Sequence, residues 1–237
     1  IMAGILILLM LSYGVYSLWD TYKIYANSFA DEELLKFRPT DDGEDNPTLK
    51  DLKKLKPDVK AWIQVPKTNI DYPVVQGQDD MEYINKNVYG EFELSGAIFL
   101  SCLNKDDFSD PYNLVYGHNM KNGSMFGTLD DYKSEKWQTE HPVIEFFVDG
   151  EVREYEVFAA AERRVLYEDE EGFRYYRSGG DLSEEEYGKL ITWLQENSDY
   201  ETGIIPEYGE QILMLSTCSY HTKDGRFVVA ARRISEP

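Results

Sequence analysis

The sequence predicts a mainly β fold, a barrel or sandwich with helices added. Three observations predict it. From Ala61 onward the apolar runs are short and end at turn-forming residues. Asp149-Gly150, the preferred dipeptide for a two-residue hairpin turn, joins the run 143–148 to the run 151–161. Helical periodicity is strong in only one stretch of this region, Ser183 to Asn197.

The N-terminal elements come first. Residues 1–19 carry no charge. As a helix they would extend about 28 Å, close to the thickness of a bilayer core. Tyr13, Tyr16 and Trp19 lie toward the end where an aromatic belt would sit. The alternative is a secretory h-region, but such a run is usually shorter, and no small-residue cleavage site stands out before Asp20. The chain begins at Ile1, so the flank that would test the positive-inside rule lies outside it. Residues 1–19 therefore read as an N-terminally truncated single transmembrane anchor, with the rest of the chain on the extracellular face.

Residues 20–38 read as an amphipathic helix and 39–47 as a linker rich in Asp, Pro and Gly. Together they form a juxtamembrane segment, 20–47, ahead of one domain, 48–237. Thr48 is placed to cap a short helix, Leu49 to Leu55, which Pro57 ends. Short β runs follow at 62–65 and 70–75, broken by Pro66 and Pro73, and then at 97–100 and 113–116. Residues 125–136 carry a helical pattern. After the hairpin and an acidic loop, Ser183 and Glu186 form a capping-box pattern. Tyr187, Leu190, Ile191 and Leu194 then make one apolar face. Two apolar runs, ending at Cys218 and starting at Arg226, close the chain.

A net charge of −20 over 237 residues argues against a phosphate-binding surface for nucleic acid. Two cysteines make no disulfide framework, and with three scattered histidines they give no zinc spacing. The acidic segments 168–171 and 184–186 read as solvated faces rather than Ca²⁺ sites. No metal or cofactor is expected.

The chemistry concentrates near the C-terminus. If the last two strands pair antiparallel, Cys218 and Arg226 lie side by side on one rim of the sheet. A thiolate is the nucleophilic form of cysteine, and positive charge beside it favours that form. A guanidinium can hold an oxyanion with directed hydrogen bonds. A proton donor is also needed. His118 ends another apolar run, and His221, in the Cys–Arg loop, is its competitor. Arg232 and Arg233 rival Arg226 but stand further along the strand. Cys102 reads as an inert thiol. Ser216 shares the face of Cys218 and is placed at a substrate groove. Thr217 is placed there too, or in packing through a backbone hydrogen bond.

Several segments together resemble the sortases, class B in particular. They are Leu-Ser-Thr-Cys218, Tyr116-Gly-His118-Asn-Met followed by Met125-Phe126, and Gly225-Arg226-Phe-Val-Val-Ala. Ile70-Asp-Tyr-Pro-Val-Val-Gln76 and Gly96-Ala-Ile-Phe-Leu100 are similar to further class B blocks. The likeness runs from about Leu49 to Ile234, and the helix shortly before the Cys strand is a class B feature. The resemblance implies a sortase-type closed β-barrel of about eight strands with N-terminal helices. It implies a membrane-anchored cysteine transpeptidase of a Gram-positive envelope, with His118, Cys218 and Arg226 catalytic and Ile84 at a groove position. Its partners would be the sorting-signal peptide of a surface protein and an amine, from a peptidoglycan precursor or a pilin lysine. One departure is Met214, where the family signature has Thr; it puts substrate preference in doubt and leaves the class unchanged. Two other readings compete. A catalytically silent, membrane-tethered binding protein has no need of all three residues. A papain-like hydrolase would place its cysteine early, before the histidine.

Overall fold

The computed structural model describes residues 2–39, 47–219 and 224–234. Eight strands close a barrel in the order β1-β2-β3-β4-β7-β8-β6-β5. They are β1 (Val59–Gln64), β2 (Asp71–Val75), β3 (Ile98–Leu100), β4 (Tyr112–Tyr116), β5 (Val143–Val148), β6 (Glu151–Arg164), β7 (Ile212–Cys218) and β8 (Gly225–Arg233). Among the described residues five α-helices accompany them: α1 (Met2–Asn27), α2 (Glu32–Leu35), α3 (Pro47–Leu55), α4 (Glu135–Glu140) and α5 (Glu184–Asn197). The β2–β3 and β4–β7 pairs are parallel and the others antiparallel.

Alternation along the strands sorts side chains into layers. Ile63, Val74, Phe146, Leu213, Leu215, Phe227 and Val229 fill the interior. On one outer face Ile212, Met214, Val228 and Ala230 meet Tyr187, Leu190, Ile191 and Leu194 of α5. Ala159, Ala161 and Ala230, all fully buried, keep the strand surface low enough for the helix to seat closely. Fully burying Leu190 and Leu194 contributes about 1.5–3 kcal/mol each. On another outer face Leu34, Leu49 and Leu52 pack on Trp62, Val75 and Phe99. The sequence therefore distributes its apolar residues over three layers, one inside the barrel and two beneath helices.

Several local readings hold in detail. Asp149 (φ 51°) and Gly150 (φ 86°) both take positive φ, as a type I′ turn demands. The Ser183–Glu186 capping box is formed, each partner bonding the other's backbone.

Others are corrected. The helical readings of 1–19 and of the start of 20–38 join in one element, α1, which runs unbroken to Asn27, about 39 Å at 1.5 Å per residue. Ser28, whose hydroxyl donates to the Tyr25 carbonyl, ends it, and Asp31 caps the short α2 by accepting from Leu34 N–H. The 20–38 segment is thus two pieces rather than one helix. Most of the 39–47 linker lies outside the described residues. The 125–136 stretch is a 3₁₀ helix, Gly127–Lys133, followed by α4, because Ser134 is extended and breaks the run. Pro73 lies within β2 rather than ending it. β3 joins β2 only at Val74 and Val75, so the proline stays outside the two-sided part of the ladder. A bulge between Val157 and Ala159 turns both Phe158 and Ala159 toward α5.

Candidate active site

β7 is the centre of the site. It runs buried for six residues and emerges at its last, Cys218, which is exposed. On one side β8 pairs antiparallel with it, and Cys218 stands opposite Arg226. On the other side β4 runs parallel in the register Tyr116–Ser216, and the Gly117 N–H still reaches the Ser216 carbonyl at 3.2 Å. His118 follows directly. The two neighbours of one strand thus bring His118, Cys218 and Arg226 to the same rim. His221 lies outside the described residues.

His118 is half-buried, and its Nε2 stands 2.8 Å from the carbonyl oxygen of Ile84. A carbonyl only accepts, so this contact puts a hydrogen on Nε2 and leaves Nδ1 as the open ring nitrogen. Ile84 belongs to a 3₁₀ turn, Glu82–Asn85. Gly96, at φ +61°, lies so close beneath it that a Cβ there would fall 2.4 Å from the Ile84 oxygen. Only glycine fits both the angle and the space.

Arg226 is half-buried, and its Nη1 donates to the Gly225 carbonyl at 3.1 Å. Arg232 is ion-paired with Glu156 (3.2 Å) and Glu210 (3.4 Å) and stands opposite Ile212, at the far end of β7. Arg233 pairs with Glu151. Neither rival reaches the rim.

Ser216 is buried, with its hydroxyl 3.1 Å from that of Tyr175. Thr217 is buried too and donates to the Gly117 carbonyl at 2.7 Å. Burial pushes the Tyr175 phenol up to about 12, partly offset by its hydrogen bond to Ser216 and the positive charge of Arg226. Met214 keeps the face expected for it but is fully buried, its sulfur accepting from the Tyr112 hydroxyl at 3.4 Å. Cys102 is a free, exposed thiol raised in pKa by burial and by Asp80. Glu170 is paired with Arg164 and Glu185 with Lys189. Among the described residues no three His, Cys, Asp or Glu side chains converge as a metal site.

Two residues escaped the sequence reading. Asn119 is buried and donates to the Cys218 carbonyl at 3.0 Å. Its neighbour His118 marked the segment, but only the parallel register shows that its amide reaches β7. Tyr175 sits in the loop between β6 and α5, which Tyr167 and Val165 tie to Asp224 in the β7–β8 connection. A tyrosine in a tyrosine-rich chain gave no signal.

A family model described as "Sortase domain" matches residues 63–234. The chain belongs to the sortase family. It is 30% identical over 196 residues to Sortase B of Listeria monocytogenes, covering 82% of this chain and 77% of that protein. Sortase B of Clostridium perfringens superposes with a TM-score of 0.69 at 30% identity, over 78% of this chain and 99% of the other. A Streptococcus pyogenes class B sortase involved in pilus biogenesis does so with a TM-score of 0.68 at 30% identity, over 78% and 97%. The sortase described here is of class B, and the closed barrel with α5 ahead of the Cys strand is that architecture. It is therefore an enzyme, a cysteine transpeptidase that cleaves a sorting signal and transfers it to a cell-wall amine. The silent binding protein gives way to that finding. The N-terminal segment Met2–Leu35, of which α1 is the long helix, is long and apolar enough to cross a membrane.

Proposed function

We propose that Cys218 is the nucleophile of this sortase, Arg226 its oxyanion-holding group and His118 its proton carrier. The observation that supports this most is the register: Cys218 faces Arg226 across one ladder while His118 extends the strand on the other. The Cys218 thiolate attacks the scissile carbonyl, and the electron pair moves to the oxygen, where the guanidinium hydrogen-bonds it. Collapse expels the amine, which takes a proton from His118, and a thioester remains. The acceptor amine then attacks the thioester, His118 removes its proton, and the Cys218 thiolate leaves.

Residues 1–19 act as the anchor, 20–47 as the juxtamembrane connection and 48–237 as the catalytic domain on the extracellular face. Ile84, Ser216 and Thr217 line or support the groove. The acceptor is a peptidoglycan-precursor amine. A pilin lysine is the second reading, favoured by the 30% identity to a class B sortase involved in pilus biogenesis.

Intact-mass spectrometry of the detergent-solubilised chain with Leu/Asn/Ser-Pro-x-Thr-Gly or -Asn peptides tests the chemistry. A mass gain equal to the N-terminal peptide fragment is expected, and none with Cys218→Ala. An adduct that persists in Cys218→Ala would remove Cys218 from its role. Supplying glycine peptides against a lysine-bearing peptide as acceptor separates the two readings of the nucleophile.

A further inference from the structure

We infer that Asn119 is a positioning residue that sets Cys218 against His118, held in place by a polar circuit through Asp130, Lys133 and Glu162. The inference rests on the roles proposed above for Cys218 and His118.

Both strands run out at the rim. β4 ends at Tyr116 and β7 at Cys218, and the last backbone bond between them joins Gly117 to Ser216. Beyond it, side chains hold the two segments together. The Asn119 amide donates to the Cys218 carbonyl at 3.0 Å. Asn119 is covalently next to His118, so one residue and one hydrogen bond link the two reacting groups.

The direction of that amide is itself determined. Its nitrogen also donates to Asp130 Oδ2 at 3.0 Å. A carboxylate only accepts, so Asp130 selects the NH₂ end of the amide and aims the remaining hydrogen at Cys218. Lys133 Nζ stands 3.7 Å from Asp130 Oδ1 and 2.9 Å from Glu162 Oε2. Glu162 Oε1 accepts from the Ser219 hydroxyl. The circuit therefore leaves the chain at the carbonyl of residue 218 and returns at the side chain of 219. It grips the backbone on both sides of the peptide bond that follows the nucleophile. Asp130 and Lys133 come from the 3₁₀ helix 127–133 and Glu162 from β6.

A positioning role differs from a structural one in what it changes. Misplacing a nucleophile against its proton carrier slows the chemical step without weakening peptide binding. The test uses the full chain in detergent and measures single-turnover acylation by a sorting peptide across pH, alongside the melting temperature. Asn119→Ala is expected to slow acylation about 10- to 100-fold, with peptide affinity nearly unchanged and the limbs of the pH profile displaced, because the geometry between thiol and imidazole changes. Asn119→Asp, isosteric but unable to donate when ionised, should behave alike. Asp130→Asn keeps an acceptor toward Asn119 and should lose less rate than either. Acylation by Asn119→Ala at the unaltered rate per folded molecule, or a loss that follows only the folded fraction with an unmoved pH profile, would overturn the inference. If the unaltered chain acylates at a residue other than Cys218, the functional reading fails and takes this one with it.

Discussion

The two edges of β7 are built differently. Toward β8 the ladder continues to the last residue, so backbone pairing brings Cys218 and Arg226 opposite each other. Toward β4 the ladder stops short, and His118 is placed by side-chain and carbonyl contacts: Thr217 to Gly117, Asn119 to Cys218, and His118 to Ile84. Backbone pairing survives most substitutions, because every residue supplies the same donor and acceptor. Side-chain bonds do not. The arginine edge is therefore sensitive to the identity of one residue, Arg226, and the histidine edge to several.

The sharpest way to break this contrast is at Arg226. Arg226→Lys keeps a charge but loses the planar fork, and it is expected to lower kcat about 10²- to 10³-fold, the usual effect of losing an oxyanion donor. Steady-state peptide cleavage with a thermal melt measures it; the melting temperature should stay close to that of the parent, because the ladder is untouched. A large drop in melting temperature would show that the arginine edge also depends on its side chain.

A smaller effect is expected across β7. Thr217→Val conserves shape but leaves the buried Gly117 carbonyl without that donor, which costs about 1–3 kcal/mol. Denaturant unfolding should show the loss of stability, and acylation should slow with it, because Gly117 leads into His118. Unchanged stability would mean that the histidine edge is held elsewhere.

The smallest effect is spread over both edges. Tyr72, behind the His118 loop, and Tyr175, beneath Ser216, are each pushed up to about 12, chiefly by burial. Their folded values lie above the ordinary phenol value near 10, so the folded state favours the neutral form. That contribution is fully present below about pH 10 and is lost as pH rises toward 12. Denaturation midpoints measured from pH 9 to 12 should fall across that window. Tyr175→Phe, which cannot ionise, should remove its share of the fall.

Legibility followed the distance along the chain. The Asp149-Gly150 turn, the Ser183 cap and the helix it starts depend on neighbours a few residues apart, and each was readable. So was the Cys218–Arg226 pair, because a short loop between two apolar runs leaves antiparallel pairing as the natural outcome. The 3₁₀ turn at 127–133 was read as a longer helix, since spacing alone does not separate the two. Charge begins at Asp20 while helical geometry continues to Asn27, so composition changes within α1 and does not mark its end.

By itself, then, the sequence determined a mainly β fold with a helix added, and which cysteine and which arginine share a rim; the closed barrel was implied only by the likeness to the sortases. Motif order also pointed to His118. What only the tertiary structure decided was the parallel register of β4 on β7, a pairing that spans 100 residues, as in Tyr116 with Ser216. Local propensity carries no information about such a register, because it emerges when the closed barrel satisfies all its strands at once. Asn119, Tyr175 and the carbonyl of Ile84 acquired their places at the rim through that closure.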